Sequence, residues 1–339
     1  MAIFTKLTCM EPSTTQALFF QHIKNLLPPH VSMVDAIADL LNISNDSSYR
    51  RIRGEKGVSL EEMQKLAGHF KISIDQFLHI ESDSFLFSGK LTDSNNHSFE
   101  EWMQSVLKQV TFMNSFQNKH MYYLAKDLPL MQQFLVPELL LFKSFFWRKS
   151  ILHLEDMRGV KFSLKTIDSV NMELGNKIVQ VYNQIPSTEI WNVESINSTI
   201  RQIEFYRDLD LFESPADVAA LYRSVFKIID HIEKQAELGL KFVMGGNPAS
   251  NAASYSLFNN ELILGDNTIL AVLDSMIVTF INHSVINFLA TRDKRFNKYM
   301  YENLQNLIHK STQLSIAGEK ERARFFNRIR DKMKLAARL

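Results

Sequence analysis

The stretch VDAIADLLNISNDSSYRRIRGEKGVSLEEMQKLAGHF, residues 34–70, decides the fold of the amino-terminal part of the chain. Apolar residues recur at helical spacing twice within it, as Val34, Ile37, Ala38 and Leu41 and again as Leu60, Met63, Ala67 and Phe70. Each set lies on one face of a helix. Ser32 and Ser59 stand just before these sets, where a serine hydroxyl can accept a hydrogen bond from a free backbone amide. The stretch therefore predicts two capped amphipathic helices.

Between these two helices, the sequence predicts a third that follows the first after a short turn. The first helix is expected over 32–41 and the next over about 46–53. In the connection, Asn42 can adopt the left-handed backbone conformation that a tight turn needs. Asn45 or Asp46 can cap the helix that follows. This length and spacing are typical of a helix-turn-helix.

Helices on both sides complete a small bundle of five over residues 13–80. An apolar face from Phe19 to Leu26 predicts the first helix, which the two prolines at 28 and 29 end. Ser73, followed three residues later by an amide, predicts the start of the fifth.

The helix over about 46–53 has a side that can pack and a side that is basic. Ser48, Tyr49 and Ile52 lie on the side expected to face inward, and Ser47, Arg50 and Arg51 lie opposite. Arginine can donate two parallel hydrogen bonds to guanine, whereas lysine, serine and helix-start amides can hold phosphates. The alternative is that the basic run is an ordinary solvated helix face. The candidate DNA-contacting residues are Ser44, Asn45, Ser47, Arg50, Arg51, Arg53 and Lys56.

Residues 34–70 resemble the lambda-repressor-like, XRE-type helix-turn-helix regulators, and among them most closely the BetR-type N-terminal domain, which a large downstream domain follows. The helical bundle that contains these residues, 13–80, makes up roughly a fifth of the chain. It implies that the helix holding Ser47, Arg50 and Arg51 enters the major groove of DNA and that the protein acts as a dimer. Against the common XRE pattern the turn is one residue longer, so the choice among these three as base contacts stays open by one position.

The rest of the chain predicts a larger, mostly helical α+β domain over residues 99–339, after a linker or short strand over 81–98. Its expected elements are a capped helix over 98–116, a strand over 119–126, a helix from Pro137 to about 150, a helical region over 177–239 that contains a helix from Ser214 to Gly239, and a helix over 294–310. With only a small antiparallel sheet expected, the fold class predicted for the whole chain is mainly α.

Two segments carry the expected sheet and an expected buried helix. Residues 255–258 and 261–264 predict a hairpin, because the two asparagines that join them tolerate positive φ, and 240–244 predict a further strand. Residues 268–290 predict a long helix, about long enough to cross a bilayer. Since it contains Asp274, His283 and several amides and hydroxyls that are costly in lipid, a buried helix in the core or at a dimer seam is favoured over a membrane span.

Composition narrows the possible functions. Cys9 is the only cysteine, which excludes an internal disulfide or a multi-cysteine metal site. The net charge of +1 means that any contact with nucleic acid must come from a local patch. No HExxH, phosphate-binding glycine loop or Gly-x-Ser-x-Gly motif occurs, and the ten histidines show no metal-binding spacing. We therefore expect no catalytic residue, no cofactor, no metal and no enzymatic activity.

Two further segments leave alternatives open. Residues 319–339 carry eight Lys or Arg against three acidic residues. We interpret them as a solvated amphipathic helix with Phe325, Phe326 and Ile329 packed inward, the alternative being a second phosphate-binding strip. The aromatic-rich run over 139–147 is interpreted as core, with an apolar ligand pocket or an oligomer face as alternatives.

Together these features predict a cytoplasmic, sequence-specific DNA-binding transcription regulator without an export signal or a membrane anchor. Its expected partners are double-stranded DNA, a second copy of the chain, and an unknown small molecule or protein sensed by the larger domain. One alternative is a protein-interaction adaptor that docks through the small bundle. Another is an enzyme with the helix-turn-helix as a targeting appendage, which would need clustered polar groups in a pocket of the larger domain. Convergence of Asp274, His283 and Glu155 would favour this alternative, and their dispersal would count against it.

Overall fold

The structure is a computed structural model that describes residues 15–28, 31–74, 77, 84–89, 98–166, 168–262, 265–284 and 287–337. The chain divides between Ser84 and Phe85 into two compact units, here called the N-terminal unit and the larger unit.

The N-terminal unit is helical throughout its described elements, which are α1 (Thr15–Leu26), α2 (Met33–Leu41), α3 (Asn45–Ile52) and α4 (Leu60–Phe70). Phe19, Phe20 and Ile23 of α1 pack with Ile37 and Leu41 of α2 and Leu66 of α4 in one buried cluster. The helix predicted to begin after Ser73 falls largely on residues 75–76 and 78–80, outside the described residues.

The caps of these helices follow the predicted pattern. The hydroxyls of Ser32 and Ser59 accept from the backbone amides of Asp35 and Glu62, and Ser59 and Glu62 form a complete capping box. Asn42 has φ of 55° and closes α2 in the left-handed conformation, as predicted. The cap of α3 is Ser44 rather than Asn45 or Asp46, so α3 begins one residue earlier than predicted.

The larger unit alternates helices and strands. Its helices are α5 (Phe99–Asn114), α6 (Pro137–Phe146), α7 (Ser169–Tyr182), α8 (Asn197–Asp208), α9 (Pro215–Leu238), α10 (Lys294–His309) and α11 (Glu319–Ala337). Its strands are β1 (Lys119–Ala125), β2 (Ser187–Trp191), β3 (Tyr255–Asn259), β4 (Thr268–Leu273), β5 (Met276–Asn282), β6 (Phe288–Thr291) and β7 (Thr312–Gln313). A π-helical segment (Trp147–Ile151) extends α6, and 3₁₀ turns lie at Leu130–Phe134 and Glu155–Met157.

All seven strands form one sheet in the order β6-β5-β4-β1-β2-β3-β7. β1, β2 and β3 are parallel, with Met121 opposite Ser187 and Ser187 opposite Tyr255. β4 runs antiparallel to β1 and continues through β5 and β6 as an antiparallel meander. Side chains alternate between the faces of the sheet, so Tyr123 joins the main core while Leu124 joins a smaller cluster with Leu304 of α10.

The predicted fold class was wrong. A seven-stranded sheet with parallel and antiparallel strands makes this an α/β fold, not a mainly α fold with a small antiparallel sheet. The error comes from parallel strands, which are buried on both faces and show no alternation of polar and apolar residues. All five residues of β2 are buried, and this strand lies in a region predicted to be helical.

The predicted long helix over 268–290 was also wrong, because this segment forms β4, β5 and β6. No hairpin forms at Asn259 and Asn260: β3 instead pairs with β2 and β7, and residues 261 and 262 lie outside any strand. Residues 263 and 264 of the predicted hairpin lie outside the described residues, and Leu240 forms a single bridge with Ser254 rather than a strand. Among the described residues, no helix has the length and apolar character that a bilayer crossing requires.

Several predicted elements of the larger unit were confirmed. Ser98 and Glu101 cap α5 reciprocally, β1 covers the predicted strand, and Ser214 and Gly239 bound α9. Phe325, Phe326 and Ile329 of α11 are buried as expected. Of the predicted linker over 81–98, the structure describes 84–89 and 98, and there Ser88 pairs with Ala290 of β6.

Candidate nucleic-acid interface

The predicted helix-turn-helix corresponds to α2, the turn at residues 42–44, and α3. Two side chains of α3 fix it against α2. The hydroxyl of Ser48, fully buried, donates to the carbonyl of Val34 at 2.9 Å, and the amide of Asn45 donates to a carboxylate oxygen of Asp35 at 2.8 Å. Because both contacts are specific hydrogen bonds, they set the rotation of α3 about its axis as well as its position.

Arg51 is part of the interior rather than of the outward face, which corrects the predicted orientation. It is 4% exposed, and its guanidinium forms two hydrogen bonds with the carboxylate of Glu62 on α4, at 2.9 and 2.6 Å. It also donates to the hydroxyl of Ser47 at 2.7 Å. The hydrogen bond from Arg51 holds the pKa of Glu62 below its ordinary value of 4.5. Arg51 therefore ties α3 to α4, and the half-buried Ser47, on the same helix as Arg51, holds its guanidinium in place.

A side chain that sequence reasoning missed, Gln16 of α1, holds the segment after α3. Its amide nitrogen donates to the carbonyls of Arg51 and Lys56, at 2.7 and 2.8 Å, and its carbonyl accepts from the amide of Val58 at 3.3 Å. A glutamine within an amphipathic helix carries no signal of such long-range contacts. The contacts fix the backbone that presents Lys56.

The outward face of α3 carries Tyr49, Arg50 and Arg53, and Lys56 follows it in the next turn; all four are exposed. Tyr49 was predicted to pack inward, but it is 45% exposed. The guanidinium of Arg53 lies 4.7 Å from the centroid of the Tyr49 ring and 3.7 Å from the carboxylate of Glu55. Packing on a ring in this way restricts a long side chain.

Arg50 differs from Arg51 and Arg53 because its guanidinium forms no hydrogen bond or ion pair with any residue that the structure describes. Its five donors are therefore available to a partner. Ser44 and Asn45 already form hydrogen bonds within the N-terminal unit. The Ser44 hydroxyl caps α3, and the side-chain amide of Asn45 donates to Asp35. The carbonyl oxygen of Asn45 and the second hydrogen of its amide nitrogen are left for a partner.

The larger unit holds a buried polar cluster on its central strands. The carboxylate of Glu189 in β2, fully buried, accepts from the hydroxyls of Tyr182 and Tyr255 and from the indole of Trp191. Burial and the charge of Glu189 raise the pKa of both tyrosines well above 10. The ammonium of Lys241 lies 3.3 Å from the centroid of the Tyr182 ring, and burial lowers its pKa to about 7.

Asp274, His283 and Glu155, whose convergence would favour an enzyme, lie on separate elements. Asp274 lies in the turn before β5 and accepts from the backbone of Asn118 at 3.0 Å, whereas His283 follows the other end of β5. Glu155 belongs to a 3₁₀ turn outside the sheet. Within the described part of the chain, no group of three or more His, Cys, Asp or Glu could hold a metal ion.

The basic carboxyl-terminal helix α11 uses several of its cations internally. Arg322 donates to the carbonyl of Leu314 at 3.0 Å, Arg330 pairs with Asp230 at 2.6 Å and with Glu233, and Lys332 pairs with Glu194. These pairs tie α11 to α9 and to the segment before α8.

Comparison with known proteins identifies no relative: the chain matches no family model, no curated protein and no solved structure.

Proposed function

We propose that this protein is a sequence-specific DNA-binding transcription regulator in which α3 enters the major groove. The main support for the proposal is that the side chains of α3 have two different roles. Ser48, Asn45 and Arg51 fix the helix to its neighbours, while Arg50 stands exposed with its donors unused by the described residues. A rigidly held helix with a free guanidinium suits bidentate recognition of guanine.

The proposal assigns different roles to the exposed side chains. Arg50 contacts a base edge, and Arg53 and Lys56 contact phosphates on either side of the groove. Tyr49 packs against the sugar-phosphate backbone. Residues 1–80 carry equal numbers of acidic and basic side chains, so one copy gains little non-specific affinity from charge. We therefore propose that the protein binds DNA as a homodimer, with two copies of α3 in successive major grooves. We also propose that it is a cytoplasmic protein.

The test begins with selection of bound sequences from a random duplex library by the full chain. Binding of the selected duplex is then measured by fluorescence anisotropy over a range of salt concentrations. Arg50→Ala should weaken binding by about 1–3 kcal/mol and relax the base preference at one position of each half-site. Lys56→Ala should weaken binding to all sequences alike and reduce the salt slope by about one.

Lys65→Ala is the matched control, because it removes one exposed positive charge from α4 of the same unit. It should leave both base preference and affinity close to those of the unaltered chain. Selection of no sequence by the full chain, or unaltered affinity in Arg50→Ala, would falsify the assignment.

The second candidate function is a protein-interaction adaptor, favoured by the exposed ring of Tyr49 and the even charge of residues 1–80. Aromatic side chains are enriched where proteins bind each other. This function predicts a protein partner that binds in the absence of DNA. Tyr49→Ala should abolish that binding, and salt concentrations that dissociate DNA should leave it unchanged.

A further inference from the structure

The larger unit begins with a short segment, residues 85–89, that lies along the outer side of β6 and is here called the strap. Ser88 of the strap and Ala290 of β6 exchange two backbone hydrogen bonds, each of 2.7 Å. The hydroxyl of Thr291 donates to the carbonyl of Leu86, also at 2.7 Å. Since β6 is the last strand on its side of the sheet, the strap covers backbone groups that an edge strand otherwise leaves unpaired.

Two rings of the strap pack against one ring of α10. Phe85 and Phe87 both meet Phe296 edge-on, with ring centroids 5.3 and 5.1 Å apart. Gly89 lies so close to Leu289 that a Cβ at position 89 would meet the Leu289 side chain. The strap therefore docks in the way that an extended peptide adds to a sheet edge, with backbone hydrogen bonds and a site for alternate side chains.

The strap is nevertheless held less firmly than the strand beneath it. Phe85 and Leu86 stay 45% and 44% exposed, so their apolar surface is only partly removed from water. β6 itself pairs with β5 along its whole length, from Phe288 to Thr291. Because segments that bury little apolar surface open at lower free energy than a core sheet, the strap can leave β6 while β6 remains paired.

The docking position determines how much chain connects the two units. Phe77 belongs to the N-terminal unit, where its ring packs on Phe19 at 5.2 Å. Seven residues, 78–84, separate it from the strap, and twenty residues, 78–97, separate it from Ser98, which caps α5. A chain can span at most about 28 Å from Phe77 to Phe85 and about 70 Å from Phe77 to Ser98.

We propose that the strap is a detachable anchor for the N-terminal unit. When it is docked on β6, the chain to the N-terminal unit starts at Phe85. When it is detached, that chain starts at Ser98 and reaches roughly two and a half times as far. The effective concentration of a tethered unit falls as its linker lengthens, so detachment lowers the local concentration of the N-terminal unit around the larger one. This inference does not depend on DNA binding.

Hydrogen exchange of the full chain, read with residue-level fragmentation, tests whether the strap detaches on its own. The Ala290 amide donates to the strap, whereas the amides of Leu289 and Thr291 alternate to the side of β5. After correction for intrinsic rates, the Ala290 amide should exchange at least about tenfold faster than the other two, since opening of the strap alone releases it. Equal rates would mean that the strap opens only with the sheet and would overturn the proposal.

Ser88→Pro tests the contact that holds the strap. It removes the amide that donates to the Ala290 carbonyl and leaves the pairing of β6 with β5 unchanged. The Ala290 amide should then exchange faster by about another tenfold. Leu86→Pro is the matched control, because the Leu86 amide donates to no residue that the structure describes and the Leu86 carbonyl is kept. Equal acceleration in both proline variants would contradict the assignment of docking to Ser88.

Pulsed electron paramagnetic resonance measures the reach of the N-terminal unit. Nitroxides are attached after Lys65→Cys on α4 and Lys177→Cys on α7, both exposed positions, in a Cys9→Ser background. Labelled chain is diluted with unlabelled chain so that distances within one copy are measured. Adding Ser88→Pro should extend the distribution to longer distances, and adding Leu86→Pro should leave it unchanged.

Phe296→Ala is the second detaching variant, since it removes the ring on which Phe85 and Phe87 pack, and it replaces Ser88→Pro if that chain does not fold. An unchanged distance distribution in a variant whose Ala290 amide exchanges faster would show that the strap does not limit the reach of the N-terminal unit, and the proposal would be wrong.

Discussion

The N-terminal unit and the larger unit bury a cation in different ways. In the N-terminal unit, the buried guanidinium of Arg51 has a carboxylate partner in Glu62. In the larger unit, Lys143 is just as enclosed, but its ammonium binds the hydroxyl of Thr199 at 3.0 Å and the amide oxygen of Gln202 at 2.6 Å. A guanidinium cannot lose its proton within a protein, whereas a lysine can.

The two contacts show how each unit offsets the free-energy cost of removing a charge from water. Arg51 stays charged, so the N-terminal unit must supply an opposite charge and the stability of the unit depends on it. Burial lowers the pKa of Lys143 to about 7, so the larger unit reduces the cost by favouring the neutral amine. The two units should therefore respond to pH in different ranges.

The largest expected effect is on the larger unit, and it tests whether the folded protein favours the neutral form of Lys143. Between pH 7 and 10.5 the unfolded chain holds the Lys143 proton and the folded chain does not, so the free energy of unfolding should rise with pH. The contribution is roughly 1 kcal/mol per pH unit. Lys143→Met should remove that contribution from urea unfolding followed by tryptophan fluorescence, because all three tryptophans lie in the larger unit.

Lys177→Met is the control for this experiment, since Lys177 is an exposed lysine on α7. Its pH dependence should equal that of the unaltered chain. Lys241, whose pKa burial also lowers to about 7, contributes in the same direction, so a part of the rise should survive in Lys143→Met. An identical slope in Lys143→Met would show that Lys143 stays charged in the folded protein.

The next largest effect concerns the N-terminal unit. Glu62→Gln keeps a side chain that can complete the capping box with Ser59 but leaves the Arg51 charge without an opposite one. It should destabilise α3 and α4 by about 2 kcal/mol, less than for a fully buried pair because Glu62 is partly exposed. Amide hydrogen exchange of peptides covering 45–70 measures the change.

The contribution of the Arg51–Glu62 pair to stability changes at acidic pH, whereas that of Lys143 changes between pH 7 and 10.5. Since the pKa of Glu62 is lowered in the folded chain, its contribution is complete above about pH 4.5 and is lost as the pH falls through the folded value. Glu61→Gln, one residue away and exposed, should leave exchange near neutral pH unchanged. Equal protection in Glu62→Gln and in the unaltered chain would mean that the pair is not the main support of α3.

The smallest effect compares a strained backbone position in each unit. Lys71 closes α4 with φ of 55°, so Lys71→Gly should stabilise the N-terminal unit by about 1 kcal/mol. Asp274 in the larger unit has φ of 50°, but its carboxylate accepts from the backbone and side-chain amides of Asn118. Asp274→Gly should therefore give no gain in urea unfolding. A gain at Asp274 and none at Lys71 would reverse this assignment of strain.

The N-terminal unit could be predicted because its signals are local. The serines at 32 and 59 lie within one helical turn of the amides they bind, and Asn42 acts on its own backbone. The rotation of α3 could not be predicted as well, because it depends on Val34, Asp35 and Glu62, which lie in other helices. A simple projection therefore exchanged the positions of Tyr49 and Arg51.

The larger unit was predicted less well because its sheet is held together by distant partners. In residues 268–291 the strands are apolar enough to resemble one buried helix. β-Branched residues are nevertheless frequent there, and Asp274 and Ser275 separate β4 from β5. Weighing that turn against helix length favours strands. β2 carries no such signal, because three of its five residues, Ser187, Thr188 and Glu189, are polar. The hydrogen-bond partners of Glu189 include Tyr255 on β3, which only the fold brings near. Of the candidate site, Arg50, Arg53 and Lys56 are exposed as predicted, and Gln16 was not foreseeable.

The position of β1 in the sheet has a consequence for the order in which the larger unit folds. The meander β4-β5-β6 joins strands that are neighbours in sequence, whereas β1 joins β4 from the far end of this unit. Local pairings close small loops and form quickly, and distant ones are delayed by the entropy of closing a long loop. We therefore expect the meander to act as a template that β1 joins late, so that the parallel half of the sheet is the last part to assemble.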